Sequence, residues 1–306
     1  MKISRPLAML ALTGSIMCFA GNYLLGGLAA SSMPLMSLLY IKWGASVIPL
    51  LIFANYFERP DWRAVLKSWK KIAVLGALGI AGYSFGLYEA LRTTSSPVNA
   101  SLINAFNPAL IVVASTIFLK EKLTLNKGLG LAIAFFGVVW VLTSGNPTAI
   151  GQQKFAVGDL WMFVVVGFWT AYMVLYRVGT PLPPVTNAAL QMLFFTVVMT
   201  PFMLHQGITL PTEKPALWSL LYITIFASAV AYSLWAIGSK VIEPGQAGQF
   251  LNLMVPFTAV GSVFMGKSVS MAEIVGGALI LFGVYLTSRQ TSRSDAEKDT
   301  LAAEAN

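Results

Sequence analysis

Charged side chains are scarce in this sequence. Asp, Glu, Lys and Arg together make up 10% of 306 residues, where a soluble domain carries about 25%. So few charges cannot cover a water-facing surface, which excludes an ordinary soluble fold. Cysteine and histidine occur once each, as Cys18 and His205. A lone cysteine excludes an internal disulfide. A lone histidine at a helix end, with few acids around it, offers little to a catalytic cluster. No phosphate loop, zinc-ligand spacing or nucleophile elbow occurs in a supporting context. No cofactor is therefore expected, and the chain is not expected to be an enzyme. Also missing is the apolar–polar alternation over ~10 residues that a barrel strand needs. The net charge of +8 does not imply nucleic acid, because Lys and Arg sit in short loops between apolar blocks.

What fills the chain instead is apolar. Hydrophobic residues make up 57% and the mean hydropathy is +0.73. Blocks long enough to cross a bilayer, which takes ~20 residues as a helix, recur at 7–30, 34–57, 71–92, 97–119, 125–144, 158–178, 183–205, 215–238, 244–265 and 271–288. Turn chemistry separates them, as in Ser31-Ser32-Met33-Pro34, Glu58-Arg59-Pro60-Asp61, Gly145-Asn146-Pro147 and Glu243-Pro244-Gly245. The opening stretch, with Lys2 and Arg5, could pass for a signal peptide. Its apolar run to Ala30 is too long for a signal core, so it is expected to stay as the first helix. Residues 289–306 form a polar tail of mixed charge, expected to be cytoplasmic.

Lys and Arg divide unevenly between alternate loops. One side would hold Lys2, Arg5, Arg59, Arg63, Lys67, Lys70, Lys71, Lys120, Lys122, Lys127, Arg177, Lys240, Arg289, Arg293 and Lys298. The other would hold only Arg92, Lys154, Lys214 and Lys267. By the positive-inside rule both termini are expected in the cytoplasm.

A repeat of 146–149 residues runs through the chain. Phe19-Ala20-Gly21-Asn22-Tyr23 echoes Phe168-Trp169-Thr170-Ala171-Tyr172, Pro34 echoes Pro183, and Ala90 and Pro108 echo Ala236 and Pro256. Gly130 to Gly137 echoes Gly276 to Gly283. Each unit has an odd number of spans, so the second enters the membrane upside down. The fold class expected is an all-α integral membrane protein of ten transmembrane helices, built as two inverted five-helix repeats. Residues 1–144 and 158–288 are the repeats, 145–157 connects them and 289–306 is the tail. Such repeats place a substrate site near the midplane where the halves meet.

At these residues the chain resembles the EamA branch of the drug/metabolite transporter superfamily. The first half carries Ala90-Leu91-Arg92-Thr93-Thr94-Ser95-Ser96, Ala100-Ser101-Leu102-Ile103, Pro108 and Lys120-Glu121-Lys122-Leu123-Thr124, then Gly128 and Gly137. The second carries Ala231-Tyr232-Ser233-Leu234-Trp235, Pro256 and Gly266-Lys267-Ser268-Val269-Ser270, then Gly276 and Gly283. Lys267 stands where the family usually has an acid, so no role of that acid transfers. The resemblance implies an inner-membrane permease or exporter of small metabolites such as amino acids, with helices five and ten peripheral.

Candidate cavity residues follow from the cost of polar groups in lipid. Lys42 lies inside the second span, and a basic residue there is similar to the family's pattern. Glu89, near the end of the third, is its best partner candidate. Gln191 falls 149 positions beyond Lys42, so the halves differ chemically at a matched point. Asn22 adds an amide; Asn104 and Asn107 share a helical face, as do Gln246, Gln249 and Asn252. Tyr23, Tyr83, Trp169, Tyr232 and Trp235 could supply ring faces, with Trp43, Tyr88 and Tyr172 beside them. Interhelical bonding and interfacial packing are the plainer uses of all these groups.

The leading reading is a secondary transporter working by alternating access on a small-molecule substrate, in a lipid bilayer and without nucleic acid. A homo-oligomer stays open. A membrane-embedded enzyme would need converging His, Asp or Glu; a sensor or assembly subunit would need no central polar site. The orientation is checked by thiol labelling: a cysteine at Gln152 should react with an impermeant reagent outside the cell, and one at Ser68 should not. The opposite pattern would invert the topology.

Overall fold

Prolines and capping groups set where the helices start and stop. The computed structural model describes residues 4–94, 96–118, 124–149, 156–179, 182–242, 247 and 250–286. Helix α1, Arg5–Ser32, opens with Pro6 in its first turn and ends where Met33, ahead of Pro34, turns extended. Helix α2, Leu35–Phe57, is capped by Glu58. Asp61 caps a short connecting helix, Trp62–Lys67, by accepting from the N–H groups of Arg63 and Ala64. Then follow α3, Trp69–Thr93, and α4, Pro97–Phe118, whose cap Ser96 accepts from Val98 and Asn99. The remaining helices are α5, Leu125–Leu142, α6, Val157–Arg177, α7, Pro184–Gln206, α8, Lys214–Ser239, α9, Leu251–Phe264, and α10, Met271–Leu286.

Helices α1 to α4 and α6 to α8 are long and apolar enough to cross a membrane. Among the described residues, the apolar part of α5, and α9 and α10, are shorter. Large apolar side chains cover the outside, among them Leu10, Ile48, Ile52, Phe118, Phe135, Leu204, Trp218 and Phe264. An exposed apolar belt of this extent is what lipid requires and water does not tolerate. The chain is an all-α, multi-pass membrane protein.

Consecutive helices run antiparallel, so their ends gather on two faces. The near face holds the start of α1, the ends of α2, α6 and α8 and the start of α7. The far face holds the end of α1 and the starts of α2, α4, α6 and α10. Cross-links between helix ends agree with this assignment. At the near face the Lys240 Nζ donates to the Phe57 carbonyl at 2.6 Å. At the far face the Thr94 hydroxyl donates to Asp159 at 3.2 Å.

Packing pairs the first five helices with the last five. Helix α1 lies on α8 as α3 lies on α6; α1 lies on α9 as α4 lies on α6; α2 lies on α7 and α4 on α9. Each pairing is its own counterpart, or has one, when the two sets are exchanged. Local geometry repeats as well. Helix α3 widens to a π-turn at Gly76–Gly82 and α8 does so at Ile225–Val230, with the two starts 149 positions apart. Helix α4 breaks at Phe106 and resumes with Pro108 in its next turn, and α9 leaves a 3-10 turn with Pro256 in its next turn. Proline lacks the N–H and crowds the carbonyl four residues back, so neither helix runs through unbroken.

Glycines let the halves touch. A Cβ at Gly82 would sit 2.7 Å from the Phe168 ring and one at Gly79 2.8 Å from that of Tyr172, so α3 lies flat against the rings of α6. Helices α5 and α10 meet through Gly130, Gly137, Gly276 and Gly283. A Cβ on Gly283 would stand 2.5 Å from the Ala134 backbone nitrogen. Backbone cannot move aside as a side-chain tip can. Gly283→Ala should therefore destabilise the protein by about 1–3 kcal/mol, read as an earlier thermal unfolding in detergent. Gly167→Ala, with nothing within 4 Å, should leave the transition in place. Equal transitions would show that α5 and α10 do not depend on this contact.

Candidate functional site

An ammonium group deep in a helix bundle needs hydrogen-bond acceptors, and the sequence left its partner as a question. Lys42 is seven residues into α2, about 10 Å from the far end at 1.5 Å per residue. It is 3% exposed. Its Nζ donates to the Tyr88 hydroxyl at 2.8 Å and lies 3.5 Å from Asn22 Oδ1. Tyr88 in turn donates to the same Asn22 oxygen at 2.6 Å. Three helices thus meet in one closed triangle: α1 gives Asn22, α2 gives Lys42 and α3 gives Tyr88. The ammonium also lies 4.3 Å from the Trp43 ring centroid and 5.0 Å from that of Tyr88, within cation–π range.

Glu89 does not take the role expected of it. Its carboxylate accepts from Arg92 Nε at 2.6 Å instead. The reason is helical geometry: neighbouring residues point 100° apart, and Tyr88 is the one that faces α2. Among the described residues no carboxylate bonds to Lys42.

The second half presents a neutral counterpart. Gln191, seven residues into α7 and 1% exposed, has its Nε2 3.5 Å from the Tyr172 hydroxyl. Because α2 and α7 run opposite ways, Lys42 sits towards the far face and Gln191 towards the near one. Between them lies a wall of rings. The Tyr23 and Tyr83 hydroxyls are 3.5 Å apart. Tyr83 is 5.1 Å from Trp169, which stacks on Tyr172 at the same distance. Tyr232 meets Phe19 at 5.7 Å and Trp43 at 6.5 Å. Tyr23 and Tyr172, and Tyr83 and Tyr232, are each 149 positions apart, so both halves supply equivalent rings to one place.

The other expected residues fall elsewhere or contribute less. Asn104 and Asn107 do share a face, but they bond to each other at 2.8 Å. Trp235 packs against the core beside Ala8 and Leu12. Asn252 lies half-buried in the 3-10 turn that opens α9. Gln246 and Gln249 lie outside the described residues. Two features leave no mark in the residue pattern, the π-turns and the polar ties between helix ends.

Those ties close both faces. At the near face Glu58 accepts from the Val185 and Thr186 N–H groups at 2.8 Å each and from the Thr186 hydroxyl at 2.6 Å. Lys71 adds a bond to the Tyr176 carbonyl at 3.1 Å. At the far face Ser96 donates to Glu273 at 2.7 Å, alongside the Thr94–Asp159 bond, and the Thr209 N–H donates to the Ser37 hydroxyl at 3.2 Å. A cavity of about 470 Å³ sits under the far-face ties, lined by Ser96, Asn99, Lys267 and Glu273 among others. A second, of about 490 Å³, is an apolar groove between α1 and α8 at Leu28, Trp218 and Phe226. Neither is lined by Lys42.

With the geometry in place, comparison with known proteins decides the family. The model of the EamA-like transporter family matches the chain twice, over residues 6–143 and 156–289. The chain belongs to that family. EamA relatives include YyaM of Bacillus subtilis, described as an uncharacterized transporter, 29% identical with 81% of this chain and 82% of the relative covered. A probable terminal-alkyne amino-acid exporter of Streptantibioticus cattleyicolor is 27% identical, with 75% and 76% covered. A crystal structure that bears no functional name matches with a TM-score of 0.60 at 20% identity, covering 95% of this chain and 99% of that one, and supports the fold alone. This EamA-family chain is a membrane transporter.

The triangle around Lys42 makes a stability prediction. Tyr88→Phe removes the ammonium's short partner and should cost about 1.5–3 kcal/mol, the range for a hydrogen bond to a charged group. Tyr83→Phe, which loses only the 3.5 Å contact to Tyr23, should cost under about 1 kcal/mol. Thermal unfolding of both in one detergent checks this, and an unchanged Tyr88→Phe would mean that Lys42 does not lean on Tyr88.

Proposed function

We propose that this transporter is a secondary permease or exporter of small metabolites in the inner membrane, working by alternating access between its two halves. The observation that carries the reading is the buried polar and aromatic layer from Lys42 to Gln191, formed by both halves where α2 packs on α7. A purely structural bundle gains nothing from burying an ammonium without a carboxylate. The matched packing, π-turns and proline breaks support ten crossings in two inverted repeats, the arrangement that lets one half rock against the other. Among the described residues Arg5, Arg59, Arg63, Lys67, Lys70, Lys71, Arg177 and Lys240 lie at the near face, against Arg92, Lys214 and Lys267 at the far one. This supports cytoplasmic termini. The amino-acid exporter among its relatives brings small carboxylate-bearing compounds, amino acids or related ones, forward as cargo.

On this reading the structure is an occluded state, and each set of ties is one gate. Glu58 is the main near-face tie, because three of its bonds are charge-assisted. In a Cys18→Ala background a cysteine at Gln191 should be slow to label from the cytoplasmic side. Adding Glu58→Gln should speed that labelling about tenfold, the equivalent of roughly 1.4 kcal/mol. Unchanged labelling would remove Glu58 from the gate. The transport reading itself is tested by profiling metabolites released from cells with and without the protein; identical profiles across wild type and the empty control would count against it.

A further inference from the structure

Counting donors and acceptors around Lys42 narrows the cargo. The ammonium has three N–H groups. Two are directed at Tyr88 and Asn22. Next to it the Trp43 indole N–H is buried and has no partner, in a residue only 4% exposed. A buried donor left unbonded is costly, so such groups are nearly always paired in a finished site. On the acceptor side, Asn22 Oδ1 already accepts from Tyr88. The carboxylates of Glu58, Glu89, Asp159 and Glu273, at the two faces, are each engaged elsewhere. Among the described residues the site therefore offers a cation and an unpaired N–H, and no carboxylate bonds to them.

We infer that the transported compound is a small organic anion without an ammonium group, a monocarboxylate rather than a zwitterionic amino acid. This rests on the transport reading above. The carboxylate would sit between the Lys42 ammonium and the Trp43 N–H, in the far-face half of the site. Its body would lie along the rings of Tyr83, Trp169 and Tyr232. A zwitterion would bring an ammonium into the same space, where Lys42 repels it and no free carboxylate receives it. The neutral Gln191 in the other half gives the anion a weaker point of contact on its path, so the charged end of the compound is held at Lys42.

The test uses matched compounds that differ only in charge: 3-phenylpropionate, phenylalanine and 3-phenylpropylamine, with butyrate, 2-aminobutyrate and butylamine as the aliphatic set. Full-length protein in liposomes is assayed for uptake of each labelled compound, and in detergent for ligand-induced thermal stabilisation. At least one acid should be taken up and should stabilise the protein, with its zwitterion and amine at least about tenfold weaker. Lys42→Gln should lower the affinity for the acid by about tenfold or more. Lys42→Arg, which keeps the charge, should retain the preference, and Trp43→Phe should weaken the acid while keeping the ring. Both Lys42 variants are compared only where their elution profile matches wild type. Uptake of a zwitterion or amine in preference to the acid overturns the anion assignment and leaves transport standing. So does an acid whose affinity ignores Lys42→Gln. Failure of all six compounds to move or to stabilise overturns the assignment for acids of these sizes. If cells also release the same metabolites with and without the protein, transport falls with it.

Discussion

Everything at the centre of this protein depends on one buried charge to which, among the described residues, no carboxylate bonds. Moving an ammonium out of water costs several kcal/mol even after the protein relaxes around it. Here the compensation comes from a phenol, an amide oxygen and two ring faces, not from a carboxylate. That choice constrains the rest. Tyr88 must face α2, which turns Glu89 outward to Arg92. Asn22 must face inward on α1, which sets the rotation of that helix. The π-turn below Tyr88 in α3 then falls on the glycines that admit Phe168 and Tyr172. A carboxylate at the same place would have neutralised Lys42 permanently. A phenol and an amide stabilise the cation and leave its field open to an incoming anion.

Much of the fold was legible because the bilayer writes strong patterns. Apolar blocks, the Lys and Arg asymmetry and the duplicated order all follow from lipid and from repetition, and the family match over both halves agrees with the order. The described parts of the fifth, ninth and tenth expected spans are shorter than a full crossing; residues 119–123, 243–246, 248–249 and 287–306 beside them lie outside the described residues. The site was partly legible. Lys42, Asn22 and Gln191 stand out because polar groups in apolar helices are rare. Tyr88 does not stand out, since a tyrosine in such a helix has many ordinary uses. Choosing Glu89 over Tyr88 weighed charge above helical phase, and a difference of one residue is 100° of rotation. The π-turns are invisible to a reading based on 3.6-residue periodicity, because Gly76–Gly82 is rich in glycine and Ile225–Val230 has none.

The two faces show how a duplicated chain becomes directional. At the near face an acid of the first half, Glu58, holds the backbone of the second half's α7. Its matched position at the far face is Gly207, and the contact there reduces to a single neutral bond between Thr209 and Ser37. The far face is instead held by acids of the second half, Asp159 and Glu273, gripping the Thr94–Ser96 loop of the first. Their matched positions are Leu10 and Lys127, neither an acid. Each face is thus closed across the halves by carboxylates that the opposite face lacks. Breaking either set exposes a carboxylate to water that solvates it well, so opening costs the difference between two good environments and not the whole bond. The centre does not change in the same way, because Lys42 keeps its Asn22 and Tyr88 partners in any movement that keeps α1, α2 and α3 together. On the proposed alternating access, the faces would open around a fixed charge, and the unequal chemistry of Lys42 and Gln191 would make the two directions of travel inequivalent.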